Sequence, residues 1–343
     1  MNTPEKILII RTDRIGDVTL TLPMAHAIKK FYPGAQVAFL VREYTRPLAE
    51  NNKYIDETLV LKEKNGKILY GENIELLKKF DACFLVHPTF ELALLVYLSG
   101  IKIRAGTGYR WYSFLFNRKI YEHRKYAEKH ELEFNLSMLN AIGINYETIA
   151  DNIDFGLRPD AETSEEVKTF LKNNDVDTES KLIIIHPGSG GSSVDLPFDN
   201  MKRLVTKLSQ IDGAEILITG SKSETELCAR LIVSEKTKNL AGVFNLKELI
   251  ALISLSDILI ANSTGPIHIA AALNKFVVGF YPKVVSCSAE RWGPYTDNKA
   301  VFKPETECNN CTIKKCMITN CMSAIDIDKV VDTIANQLSV SND

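Results

Sequence analysis

The sequence has no strong charge of either sign, no long apolar run and no low-complexity tract. Its 41 Lys and Arg against 43 Asp and Glu give a formal net charge of -2, so electrostatics supply no reason to expect a nucleic-acid partner. No uninterrupted apolar segment reaches the roughly 18 to 20 residues needed to span a bilayer, the nearest being FELALLVYLSG at 90 to 100. The opening MNTPEKILII runs straight into a strand-like stretch without the apolar core and small-residue cleavage site of a secretory signal, so the expected location is cytoplasmic. Short-period repeats are absent too. What remains is an average globular composition, 45% hydrophobic and 24% charged over 343 residues. That length is too great for one ordinary core and suits two domains.

Strand-like and helical patterns alternate along the first half. ILII (7 to 10), QVAFLV (36 to 41), ETLVL, ACFLV and IKIRAG read as strands, with helices predicted at 17 to 31, 72 to 79 and 90 to 98. The charged stretch 118 to 143 reads as a helix and linker leaving the first domain. The second half repeats the rhythm with LIIIHPG, AEILITG, NLAG, DILIANS and FVVGFY, and with helices predicted at 198 to 210 and 223 to 234 and over LKELIALISLS and GPIHIAAALN. Strands alternating with helices predict parallel sheets covered on both faces. Two such α/β domains in tandem bind ligands at the carboxyl ends of their strands. We place the boundaries at 1–157, 158–323 and a closing helical segment at 324–343.

Three strand-to-helix turns carry the candidate chemistry. In RTDRIGDVTLTLP, Gly16 and Asp17 lie between the first strand and first helix beside Arg11 and Arg14. A carboxylate there either caps the helix or accepts a proton from a ligand hydroxyl. In LIIIHPGSGGSS, Gly188, Gly190 and Gly191 stand among Ser189, Ser192 and Ser193. Such a loop is either a plain turn or one whose backbone N–H groups approach phosphate oxygens. It lacks the Lys-Ser/Thr pair of a Walker loop and the GxGxxG dinucleotide fingerprint. In DILIANSTGPIHIAAALN, the backbone from Thr264 to Ile267 opens an Ala-rich helix with Pro266 in its first turn, a candidate anion site. His268 falls in that turn as well, where a lone histidine is usually structural.

These motifs, with GSKSETE between the second and third, stand in register over nearly the whole chain. Together they resemble glycosyltransferase family 9, the ADP-heptose:lipopolysaccharide heptosyltransferases. The resemblance implies a GT-B architecture, two Rossmann-like domains facing each other across a cleft, with an amino-terminal acceptor domain, a carboxy-terminal nucleotide-sugar domain and a last helix crossing back to the first. It implies an inverting transfer with Asp17 as general base. Gly188, Ser189, Gly190, Gly191 and Ser192, with Ser263, Thr264, Gly265 and His268, are the implied donor diphosphate site, and Glu224 the implied ribose ligand. Arg14, Gly16, Arg104 and Arg110 are the acceptor-side candidates, the last lying in GYRWYSFLFNRKIY, where basic and aromatic residues mix. The implied partners are a nucleotide-sugar donor and an anionic glycolipid, with peripheral contact at the inner face of the cytoplasmic membrane. No cofactor is required, the nucleotide sugar being a substrate.

Two positions depart from the family pattern. Where members often carry a Lys before Trp-Pro, this chain has Val194-Asp195-Leu196-Pro197, and the common Asn-Asp-Thr-Gly is here Asn262-Ser263-Thr264-Gly265. Arg11, Arg14 or Lys222 are the candidate replacement cations, and a UDP- or GDP-sugar donor, a GT-B epimerase or a homologue that binds nucleotide sugar without turnover are the alternative readings. Four of the seven cysteines, Cys308, Cys311, Cys316 and Cys321, cluster as CNNCTIKKCMITNC. The paired spacing of a zinc knuckle is missing, so reduced thiols and no metal are the expectation.

Overall fold

The computed structural model describes residues 4–306 and 311–340. The chain divides into two compact units, one comprising residues up to Arg124 together with Lys129–Arg158, the other Lys125–Glu128 together with everything from Pro159 onward.

The first unit is built on a parallel sheet of six strands: β1 (Lys6–Ile10), β2 (Gln36–Val41), β3 (Glu57–Val60), β4 (Ala82–Leu85), β5 (Ile103–Thr107) and β6 (Arg118–Ile120). They run β3-β2-β1-β4-β5-β6 across the sheet. The second unit repeats the plan with β7 (Lys181–His186), β8 (Ala214–Ile218), β9 (Thr237–Asn239), β10 (Ile258–Asn262), β11 (Phe276–Phe280) and β12 (Lys299–Phe302), in the order β9-β8-β7-β10-β11-β12. Both orders reverse direction once, between β1 and β4 and between β7 and β10. In doubly wound sheets that reversal opens a crevice at the carboxyl ends of the two strands.

Central strands buried on both faces need unbroken apolar runs rather than alternation. Ile7 to Ile10 and Leu182 to Ile185 satisfy this and are almost wholly inaccessible. The predicted α/β class is present and each predicted strand overlaps an observed one, NLAG by Asn239 alone, while the edge strands β6 and β12 were not predicted. The helix predicted at 17 to 31 is instead two, α1 (Ile15–Thr19) and α2 (Pro23–Phe31). The Thr21 hydroxyl donates to the Asp17 carbonyl, competing with the helical ladder, and Pro23 then opens α2 from its first turn.

The stretch 118 to 143 is also corrected. Arg118–Ile120 pairs with Ala105–Thr107 as the edge strand β6, and only α3 (Glu131–Ser137) is α-helical there, followed by a 3-10 turn at Met138–Ile142. A reciprocal cap fixes the start of α3: Leu132 N–H donates to His130 Nδ1 and His130 N–H to Glu133 Oε2. In the second unit, the helix predicted at 223 to 234 is reduced to a 3-10 turn, Lys222–Glu224, and Thr225–Ala229. The closing helix, Ile327–Val340, which the family resemblance assigns to a crossing back to the first domain, packs Ile327, Val330, Ile334 and Leu338 into the second unit's core. Asp328 on its exposed side pairs with Arg203 and Lys207.

Candidate active site

In the first unit the chain leaves β1 at Ile10 and places Arg11 beneath the start of α1. Arg11 is 3% exposed. Its Nε donates to Asp13 Oδ1 at 2.6 Å, one Nη donates to Asp17 Oδ1, and the guanidinium lies 3.8 Å from Glu131. Glu131 and Asn135, one turn apart on the buried face of α3, complete the cluster. Glu131 is 2% exposed and pairs with Arg124. Asn135 donates to the Leu20 carbonyl and the Thr21 hydroxyl, so α3 is pinned to the end of α1. The Tyr44 hydroxyl donates to the Asp13 carbonyl, and His87, following β4, stands 3.9 Å from the Asp13 carboxylate.

Asp17 therefore does not cap α1. The residue at that position is Arg14, exposed and making no side-chain cap. Gly16 is buried within the same turn. The Asp17 carboxylate is 17% exposed and spends one oxygen on Arg11; among the described residues the other accepts no hydrogen bond. Burial pushes its pKa up to about 6 against the pull of Arg11, with the Asp13 and Glu131 charges adding to the rise. A carboxylate poised there is ionised at neutral pH and is still a competent proton acceptor.

The second unit brings its predicted loops together at its own strand reversal. After β7 the chain turns through Pro187, Gly188 and Ser189, and the Ser192 hydroxyl lies 2.8 Å from the Ser189 carbonyl and 2.9 Å from that of Ser263, just beyond β10. Asn262, fully buried, clasps the same two loops: its Oδ1 accepts from Leu196 N–H at 2.8 Å and its amide donates to the Pro187 carbonyl. Gly190 and Gly191 adopt left-handed backbone with φ of 57° and 77°, and nothing lies within 4 Å of where a Cβ would stand. Gly188 is glycine for a different reason. A Cβ there would meet Glu224 Oε1 at 1.7 Å.

Glu224 links its own turn to the glycine loop. Its Oε2 accepts from the Ser221 N–H and hydroxyl, at 2.8 and 2.6 Å, in a capping box, while its Oε1 is turned to Gly188. His186 shares a 3.0 Å hydrogen bond with the Thr219 hydroxyl, and burial pushes its pKa down to about 4, so the ring is neutral. The helix Gly265–Ala272 begins as expected, but Pro266 has no N–H and that of Ile267 donates to the Thr264 carbonyl at 3.3 Å. The donors this turn offers outward are those of Thr264 and Gly265. His268 is buried at 3% exposure.

Of the candidate replacement cations, Arg11 is committed to the carboxylates of the first unit. Among the acceptor-side residues, Arg104 lies inside β5 and donates to the Leu115 and Ile101 carbonyls at 2.9 and 2.6 Å, which makes it a brace of the sheet edge. Arg110 is exposed. Of the clustered cysteines, Cys308 lies outside the described residues, Cys316 is buried, and Cys311 and Cys321 are half-buried against the second core. Among the described residues no group of three or more His, Cys, Asp or Glu could hold a metal ion.

Sequence reasoning singled out Asp17 but not the residues around it. Asp13, Glu131 and Asn135 were missed, although Glu131 and Asn135 stand at helical i, i+4 spacing beside Leu132, Phe134 and Leu136, a readable sign of a buried polar contact. Asn262 was read as part of a turn rather than as the clasp it is.

Comparison with known proteins bears on this arrangement. The sequence profile of glycosyltransferase family 9 (heptosyltransferase) matches residues 75–322. A Haemophilus influenzae protein provisionally named as a glycosyltransferase is 28% identical over 307 residues, covering 85% of this chain and 87% of the relative. Lipopolysaccharide heptosyltransferase 2 of Escherichia coli K12 is 25% identical over 290 residues, 80% of this chain and 82% of the relative. The solved E. coli ADP-heptose lps heptosyltransferase II superposes with a TM-score of 0.80 at 19% identity over 98% of this chain and all of that one, which assigns the two Rossmann-like units to the GT-B fold. This chain belongs to glycosyltransferase family 9, the heptosyltransferase family, and is a glycosyltransferase.

Proposed function

We propose that the protein transfers a heptose, or a related sugar, from a nucleotide-diphosphate donor to the inner core of lipopolysaccharide or a similar anionic glycolipid, at the inner face of the cytoplasmic membrane. ADP-heptose is the first candidate donor, by analogy with the E. coli relatives named for lipopolysaccharide and ADP-heptose. The observation that carries the reading is Asp17: a carboxylate raised to about 6, bound on one oxygen by a buried arginine and open on the other.

In the proposed reaction Asp17 takes the proton of the acceptor hydroxyl as that oxygen bonds to the anomeric carbon. The bond from that carbon to the diphosphate oxygen breaks, the nucleoside diphosphate leaves with the electron pair, and the configuration inverts. Backbone N–H groups of the Gly188 to Ser192 loop and of Thr264 and Gly265 hold the diphosphate, and Glu224 accepts from the ribose hydroxyls. No cofactor takes part.

A second donor reading has a specific basis. Val194, buried, and Ser263 stand where relatives of the family carry a cation and a carboxylate, so a UDP- or GDP-sugar is the alternative. A panel of ADP-, UDP- and GDP-sugars read by thermal shift and by acceptor-dependent nucleotide release decides between them. Stabilisation and release with ADP-heptose support the first reading. Response to UDP- or GDP-sugars alone moves the donor assignment, and binding of any of them without turnover overturns catalysis.

A further inference from the structure

One edge of the first unit combines exposed aromatic rings with a run of basic residues. From Leu92 to Tyr121 the sequence contains Lys102, Arg104, Arg110, Arg118 and Lys119 and not one Asp or Glu, in a chain whose net charge is -2. Within that stretch Trp111, Phe114 and Tyr121 are 71%, 66% and 61% exposed. Large apolar side chains standing this far into water in a cluster mark a contact surface rather than chance exposure.

The shelf is rigid. The Trp111 ring stacks on Phe90 at 4.8 Å and meets Tyr112 edge-on at 5.5 Å, and the Tyr112 hydroxyl is tied to the Pro88 carbonyl at 2.7 Å. Beside it Tyr109 stacks on His123 at 4.6 Å and meets Tyr121 edge-on at 5.4 Å. Gly108 allows this because a Cβ there would lie 2.3 Å from the Tyr121 ring. Aromatic side chains held in place lose little conformational freedom on entering an interface.

We propose that this edge docks on an anionic lipid bilayer, with Trp111 and Phe114 entering the headgroup region and Arg110, Arg118 and Lys119 meeting lipid phosphates. Tryptophan and tyrosine favour the membrane–water boundary, and basic residues beside them are attracted to anionic lipid. No helix among the described residues is long and apolar enough to cross a bilayer, so this contact is interfacial. The inference deepens the proposed membrane contact, rests on that reading, and names the surface that makes it.

The test is flotation of the full chain with vesicles that contain no glycolipid, either phosphatidylcholine alone or phosphatidylcholine mixed with phosphatidylglycerol. The expected result is salt-sensitive binding to the mixed vesicles only. Binding should fall on the order of a hundredfold in R110A/R118A/K119A, at about fivefold per cation, and at least about tenfold in W111A/F114A, with melting temperatures unchanged. With Trp292 replaced by Phe, Trp111 is the sole tryptophan of the chain, and its emission should shift to the blue on mixed vesicles. Parental binding that neither variant weakens overturns the assignment of this edge while membrane contact stands. No parental binding, with sugar transfer intact in detergent, overturns the membrane docking and spares the transferase reading. A Trp111 blue shift that needs protein concentration rather than vesicles indicates a protein partner and overturns the proposal.

Discussion

Replacing Arg11 by Met tests whether the guanidinium sets the working range of Asp17. In the native chain Arg11 is the main influence lowering the Asp17 pKa, against burial and the neighbouring carboxylates. An adjacent guanidinium typically lowers a carboxylate by about one to three pH units, so its loss carries the Asp17 pKa from about 6 to roughly 7 to 9. For a shift of about two pH units the ionised fraction at pH 7 drops from about nine-tenths to about one-tenth. Transfer at pH 7 is then about tenfold slower and returns to within about twofold of the parent by pH 9. The same change leaves Asp13 without its arginine partner and Glu131 with Arg124 alone, which should cost about 3 to 5 kcal/mol and lower Tm by on the order of 10 °C. The assays are a pH–rate profile of acceptor-dependent nucleotide release and melting curves across the same range. A variant whose rate loss is the same at pH 7 and pH 9, with its acid limb still near 6, refutes the reasoning, because a purely structural defect would not follow the titration.

Gly188→Ala should push the loop off Glu224, cost about 1 to 3 kcal/mol and weaken nucleotide binding by calorimetry; unchanged binding would mean that Glu224 and this loop do not shape the nucleotide site. Asn262→Ala removes the clasp between the two loops and leaves the Leu196 N–H and Pro187 carbonyl unpaired, so a loss of about 2 to 4 kcal/mol in chemical denaturation is expected; a loss under about 0.5 kcal/mol would contradict the clasp. Because the raised Asp17 pKa favours the protonated folded state, stability should fall by up to about 3 kcal/mol as pH rises from about 4 to 6, and Asp17→Asn should abolish that part of the slope. Chelation by EDTA should leave the transfer rate within about twofold; a large loss reversed by added cation would show that a metal takes part.

The α/β class and the central strands were legible because parallel strands buried on both faces leave a plain record: Ile7 to Ile10 or Leu182 to Ile185 admit no polar residue; the edge strands β6 and β12 were not. Helices were less legible where side chains rather than periodicity decide the ends. The break between α1 and α2 depends on the Thr21 hydroxyl reaching the Asp17 carbonyl, and the edge strand Arg118–Ile120 depends on its pairing with β5. At the candidate site, glycine and serine in the loops and the lone Asp17 stood out by type and place in sequence. Their long-range partners did not, because Glu131 and Asn135 lie more than a hundred residues from Arg11. Arg11 shows the limit most clearly: by sequence it is a candidate cation for donor phosphates, and only its 3% exposure and three carboxylate neighbours show that it serves Asp17.

The most direct test is the transfer rate of Asp17→Asn, measured with saturating donor and acceptor alongside the affinity for the nucleoside diphosphate. Loss of the base should slow transfer by about 100- to 10,000-fold with nucleotide affinity and Tm held near those of the parent. A folded variant that transfers sugar at the parental rate would contradict the assignment of the carboxylate and the account built on it.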